Sequence, residues 1–229
     1  MDTLRTQKTA KPDAATVFIV DDEPAVRQAL ARLVRAAGHD AQGFASGREF
    51  LDRSNRDAFG CIVLDVTMPE CTGLELQEIL TATRSLLPII FLTGHADVPQ
   101  AVRALKGGAV DFLSKPVEEG ELLDAIARAI RTNRLARARR AQRAHDAEAL
   151  RLLTAREYEV FVHVVTGKPN KVIAADLGTC EQTIKVHRGR IMKKLQADSL
   201  VELVRLADRV GIRSTEAWTN QGSHPAELR

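Results

Sequence analysis

Cysteine is scarce in this chain of 229 residues. Cys61, Cys71 and Cys180 are all there is, at spacings that suit neither a metal site nor a disulfide framework. An odd, sparse set predicts free thiols in a reducing cytosol. Cys61 sits inside an apolar run and reads as a small core residue. Long apolar runs are lacking as well. The longest, near Leu86 to Leu92, is interrupted by Pro88 and is far too short to span a bilayer. The N-terminus is polar and has no apolar signal core, so the expectation is a soluble, cytoplasmic protein with no membrane partner. Neither a phosphate-cradling Gly-Lys loop nor a dinucleotide glycine fingerprint occurs, and no organic cofactor is expected. Glycine and proline are missing between Gly120 and Gly167, where alanine and arginine dominate. Those are strong helix formers and predict a helix running through this stretch.

What is present is an ordinary globular composition. Hydrophobic residues make up 45% and charged residues 28%, enough for a real core, and the length favours two modest domains. The net charge is only +3 but is unevenly spread. Arginines crowd the stretch from Arg131 to Arg143, and Lys185, Arg188, Arg190, Lys193 and Lys194 form a second cluster. Local basic clusters suit an anionic partner.

Short apolar runs alternate with helix-period segments in the first half. Val17-Phe18-Ile19-Val20 ends at Asp21-Asp22, Cys61-Ile62-Val63-Leu64 at Asp65, and Ile89-Ile90-Phe91-Leu92 at Thr93. A weaker run, Val110 to Ser114, ends at Lys115-Pro116. Such runs read as buried strands of a parallel sheet. Helices are expected over Pro24 to Ala37, Gly47 to Asp52, Leu74 to Thr83, Val98 to Lys106 and Glu121 to Ile130. The segment Ala41 to Phe44 is a poor strand by composition, and only the β-α repeat calls for one there. The predicted fold is α/β, a five-stranded doubly wound parallel sheet, followed by a long linker helix and an all-α four-helix domain. The expected layout is a flexible tail over 1–15, the α/β domain over 16–132, a charged, solvated helical linker over 133–147, a helix-turn-helix domain over 148–213, and a second flexible tail over 214–229.

Ligands of doubly wound sheets bind beyond the carboxyl ends of the strands. Three carboxylates, a hydroxyl and an ammonium therefore converge at one edge. Asp21, Asp22 and Asp65 would repel one another unless a divalent cation neutralised them, and hard oxygen ligands on an open site favour magnesium. A carboxylate can take a phosphoryl group as an acyl phosphate, with Thr93 and Lys115 offsetting charge on the transferred oxygens. The bland alternative is a set of solvated acids at loop starts, which explains one such residue better than the whole set.

These residues resemble the receiver domain of two-component response regulators. The matching pieces are Val20-Asp21-Asp22-Glu23-Pro24, Leu64-Asp65-Val66-Thr67-Met68-Pro69 with Gly73, Leu92-Thr93-Gly94-His95, and Ser114-Lys115-Pro116. The resemblance implies that Asp65 is phosphorylated by a sensor histidine kinase. It implies that Asp22, Asp65 and the Thr67 backbone carbonyl bind magnesium, with Asp21 acting through water. It further implies that Thr93 and Phe112 form a switch pair, that the Lys115-Pro116 bond is cis, and that Thr67 and His95 tune dephosphorylation. Haloacid-type phosphatases, the competing enzyme class, need a second acid two residues after the nucleophile; Thr67 stands there. The expectation is a phosphoacceptor that is not a turnover enzyme.

In the second half, Thr154-Ala155-Arg156-Glu157 is a capping box. Helices are expected over Asn170 to Leu177, Glu181 to Leu195 and Ser199 to Val210, with a turn at Gly178. Two short helices around a glycine turn, the second basic, form the pattern of a helix-turn-helix. Residues Leu153 to Ile212 resemble the LuxR-type helix-turn-helix, through Leu153 to Glu157, Ile173-Ala174, Thr183 to His187 and Lys194-Leu195. With the receiver this is similar to the NarL/FixJ family, and Thr93 to Pro99 to its FixJ-like branch. By that analogy Lys185 and Val186 face bases of double-stranded DNA, with Thr183 on the same N-terminal half of the inserted helix, while Lys171, Arg188 and Arg190 meet phosphates. The resemblance also implies a homodimer on phosphorylation and RNA polymerase as a further partner. Cys180 departs from the usual Ser or Thr cap, and Gly189 weakens the recognition helix by about 1 kcal/mol relative to alanine. A thiol sensor at Cys180 would need an activating neighbour. The competing reading is a DNA-binding protein whose receiver fold is controlled without phosphate.

Overall fold

The computed structural model describes residues 15–55, 57–94 and 98–212. The two expected tails lie outside these residues except at Ala15, which is buried and whose carbonyl accepts from the Asp40 amide. The chain divides into two compact units, Met1–Ala138 and Arg139–Arg229.

The first unit holds β1 (Thr16–Val20), β2 (Asp40–Phe44), β3 (Gly60–Asp65), β4 (Ile89–Thr93) and β5 (Asp111–Ser114). They form one parallel sheet in the order β2-β1-β3-β4-β5. Its helices are α1 (Pro24–Ala36), α2 (Gly47–Arg53), α3 (Gly73–Ala82), α4 (Val98–Lys106) and the first part of α5 (Glu119–Arg151). Side chains of a strand alternate between faces. Val17, Ile19, Val63 and Leu92 accordingly pack in one cluster with Leu30 and Val34 of α1 and Leu122 and Ile126 of α5. Phe18, Ile62, Leu64 and Phe91 pack on the other face with Phe50 of α2 and Leu76 and Leu80 of α3. Both faces are covered, which is why β3 and β4 are buried at every position. β2 pairs with β1 from Thr16↔Asp40 to Val20↔Phe44. Ladder pairing and burial of Ala41 and Phe44 override its poor composition.

α5 is continuous for 33 residues; residues 138–145 of the expected spacer are exposed, whereas its ends are packed. Asn133 is fully buried, accepting from the Gly60 amide at 3.2 Å and donating to the Leu86 carbonyl at 2.5 Å. Arg137 donates to the Asp57 carbonyl, and the Arg134 guanidinium lies over the Phe59 ring. Asp146 is also buried; it accepts from Gln142 and from Arg209. The ends of the 133–147 stretch thus belong to packed structure.

The second unit is helical: the last part of α5, then α6 (Ala155–Val165), α7 (Asn170–Asp176), α8 (Glu181–Lys194) and α9 (Leu200–Arg209). Val160, Phe161, Ile173, Ile184, Ile191, Leu203 and Leu206 form its core, with Ala149 and Leu150 of α5 packed against them. Among the described residues no helix is long and apolar enough to cross a membrane.

Candidate functional site

Register places the chemistry of the first unit. Val20 is level with Leu64, Asp65 with Leu92, and Thr93 with Ser114, so the residues that follow emerge along one edge of the sheet. Asp21, Asp22 and Asp65 each bring one carboxylate oxygen into a group whose members all lie within 4.8 Å of one another. Lys115 Nζ sits 2.7 Å from Asp21 Oδ2 and 3.2 Å from Asp65 Oδ2. Its peptide bond to Pro116 is cis. Asp21 is further held by the Glu23 amide, which donates to Oδ1 at 2.8 Å, and Arg27 grips its carbonyl. The Thr67 amide approaches Asp65 Oδ1 at 3.4 Å, while the Thr67 side of the site is exposed.

Gly73 is as much a part of this geometry as the acids. It opens α3 so near β3 that a Cβ there would lie 2.3 Å from the Asp65 carbonyl oxygen. Only glycine lets α3 start there, with Thr72 and Glu75 closing a reciprocal cap behind it.

Burial raises the Asp65 carboxyl above its ordinary value; the Lys115 charge pulls it back, and the Asp21 carboxylate adds to the rise. Burial also depresses the Lys115 ammonium, but Asp21 and then Asp65 more than offset this, and its net shift is upward. Three carboxylates face one ammonium. The donor set is all hard oxygen, partly open to solvent at Asp22 and Thr67, and it fits a magnesium ion. Thr93, buried, ends β4 on the same edge, and Phe112 of β5 is half-buried with its ring centroid 6.1 Å from that of Phe91. His95 lies outside the described residues.

In the second unit Thr154 caps α6 as its sequence predicts, and Gly178 turns the chain between α7 and α8 at φ 62°. On α8, Lys185, Val186 and Arg190 are exposed, and Lys171 is exposed on α7. Gln182, which the sequence reading passed over, is exposed one helical turn before Lys185 and Val186; its spacing from them was the available signal. Two expected contacts sit differently. Arg188 is half-buried and donates to Asn170 Oδ1 at 3.0 Å, tying α8 to α7. The Thr183 hydroxyl is 3.1 Å from the Cys180 thiol. That bond, helped by the Thr183 amide, lowers the Cys180 pKa, although the thiol does not cap α8. Sequence reasoning also missed an ion pair: Lys194 Nζ bonds Glu157 Oε2 at 2.6 Å and the Leu152 carbonyl at 3.0 Å. It joins the end of α8 to the start of α6.

Comparison with known proteins decides the family. Residues 17–127 match the response regulator receiver domain, and residues 151–207 match the bacterial regulatory proteins of the luxR family. Nodulation protein W of Bradyrhizobium diazoefficiens is 44% identical over 90% of this chain and 91% of its own length. The chain belongs to the NarL/FixJ family of response regulators. The transcriptional regulatory protein FixJ of the same organism is 41% identical, over 86% of this regulator and 96% of its own length. Among solved structures, the response regulator StyR superposes with a TM-score of 0.74 at 43% identity, over 86% of this chain and 99% of that one. The regulator thus joins a receiver domain to a LuxR-type DNA-binding domain, and its relatives are transcriptional regulators.

Proposed function

We propose that this regulator controls transcription by accepting a phosphoryl group on Asp65 from a sensor histidine kinase. The observation that carries this is the placement of Lys115 between Asp21 and Asp65, with Asp22 completing the acid group. A magnesium ion held by Asp21, Asp22, Asp65 and the Thr67 backbone carbonyl would supply charge neutralisation for the transferred oxygens. An Asp65 carboxylate oxygen forms the new O–P bond as the donor's bond to phosphorus breaks, and the bonding pair leaves with the donor. Lys115 holds the carboxylates in place and compensates charge, while Thr93 donates its hydroxyl to a phosphoryl oxygen. Hydrolysis of the acyl phosphate returns the resting state, at a rate set in part by Thr67 and His95; Thr67 stands where a turnover phosphatase would need a second acid, so the chain is read as a phosphoacceptor rather than an enzyme. The work is done in the cytoplasm, where the DNA is, with RNA polymerase as a further partner.

Capture of the Thr93 hydroxyl draws Phe112 inward and reshapes the face formed by α4 and β5. Val98, Val102 and Leu105 of α4 are exposed, and covering them in a homodimer removes apolar surface from water. Two α8 helices then meet two half-sites about one DNA turn apart. Light scattering with beryllofluoride and magnesium should show a dimer for the wild type and a monomer for Thr93→Ala. A wild type that stays monomeric at tens-of-micromolar concentration while gaining DNA affinity would rule this switch out.

Lys185 and Val186 read bases, with Thr183 shaping the start of α8, while Arg190, Lys171 and Arg188 meet phosphates. Base contacts specify and phosphate contacts position. Lys185→Ala should therefore weaken binding to the cognate site about tenfold more than to random DNA, and Arg190→Ala should lower both alike. Equal loss on the two DNAs for Lys185→Ala would remove its base-reading role.

A further inference from the structure

From Ala125 to His145, α5 carries repeated arginines and no acidic residue. Three of the four arginines of its first part have local work. Arg128 pairs with Asp111, Arg134 covers Phe59, and Arg137 binds the Asp57 carbonyl. Beyond Ala138 the helix belongs to the second unit. Arg139 and Arg143 are exposed and form no ion pair among the described residues. They stand four apart, on one side of the helix, where like charges repel. The one acid within a turn of Arg143 is Asp146. It is buried and already taken by Gln142 and by both Nε and a terminal nitrogen of Arg209.

That bond to Arg209 fixes this part of α5 to α9. The two guanidiniums are thus carried by the DNA-binding unit itself, and among the described residues the one acid within a turn of Arg143 is used elsewhere. Planar guanidiniums left exposed and unneutralised are matched to phosphate oxygens, which they can grip in pairs. We propose that Arg139 and Arg143 make a second contact with the phosphate backbone of duplex DNA, separate from the groove-reading face of α8. The contact is blind to sequence. It rests on the assignment of DNA binding to this unit and adds to the length of duplex covered.

Salt dependence tests it, because each phosphate neutralised adds about 0.9 to the slope of log affinity against log salt. The full chain is titrated onto a random-sequence duplex of roughly 40 base pairs, long enough to include flanks beyond a major-groove site. Arg139→Gln/Arg143→Gln should flatten the slope by about two and weaken binding at ~0.1 M salt on the order of tenfold. Arg32→Gln/Arg84→Gln removes the same charge from exposed positions of the first unit and should keep the wild-type slope. Arg139→Lys/Arg143→Lys, which retains charge and helix preference, should recover it. An unchanged slope in the Gln pair overturns the proposal, as does equal flattening in the two Gln pairs or no recovery with lysine. A full slope combined with lost transcription would move the contact to an acidic protein surface, which also overturns it. Loss of all DNA binding by the wild type would instead defeat the reading of α8.

Discussion

Asp65→Asn should take up no phosphoryl group from acetyl phosphate, where the wild type takes up one per chain with magnesium and none with EDTA. Three physical consequences of the change act together. An amide nitrogen or oxygen is not a competent nucleophile toward phosphorus. The acid group Asp21, Asp22 and Asp65 loses one of three charges, and with it much of its hold on a hard cation. Lys115, now left to Asp21 alone at 2.7 Å, no longer bridges toward the reacting atom. The fold should tolerate the change, because Asn is nearly isosteric and the Thr67 amide can still meet the side-chain oxygen. Phosphate-affinity gels or intact mass report the result directly. Wild-type labelling of the Asn variant would end the assignment of Asp65, and labelling in EDTA would end the need for a metal.

Lys194→Met should destabilise the second unit by about 2 kcal/mol at neutral pH, with a calorimetric Tm roughly 10 °C lower for that transition. Glu157 is 3% exposed. The Lys194 ammonium and then the Thr154 amide hold its carboxyl at about 2, against an ordinary 4.5. Removing the lysine leaves a buried carboxylate with only its helix-capping partners, and the Leu152 carbonyl loses a donor as well. The figure is kept below that for a fully buried pair because the Lys194 side chain is 35% exposed and water screens it. The pH dependence has a definite sign. Folding depresses the Glu157 pKa, so the stabilisation is fully present above 4.5 and is lost as pH falls toward 2. The gap between wild type and Lys194→Met should therefore close through that window. A Tm difference that stays constant from pH 7 to pH 3 would show that the pair does not act through Glu157.

The receiver edge was legible because its chemistry lies at strand ends, and strand ends follow from apolar runs. Once Val17–Val20, Cys61–Leu64 and Ile89–Leu92 read as parallel strands, Asp21, Asp65 and Thr93 had to share an edge. β2 was legible only from the repeat, since Gln42 and Gly43 carry no strand preference of their own. The polar contacts that stitch helices together were not legible. Asn133 reaching Gly60 and Leu86, Asp146 meeting Arg209, and Glu157 meeting Lys194 join residues far apart in the chain. No periodicity marks such pairs, and a charged residue in an arginine-rich helix reads as solvated until the partner is known. Arg188 illustrates the same limit: its charge suggested DNA, and its neighbour Asn170 shares it.

β2 is also where the sheet stops. It forms one outer border, no strand among the described residues lies beside its far side, and its central Gln42 and Gly43 face solvent. An open border offers unpaired amides and carbonyls to any extended chain that drifts alongside, and long apolar borders recruit such chains into aggregates. Five residues, opened by an aspartate and interrupted by a glycine, make a poor template. The composition that nearly hid this strand from view also guards a crowded cell's worth of copies against joining edge to edge.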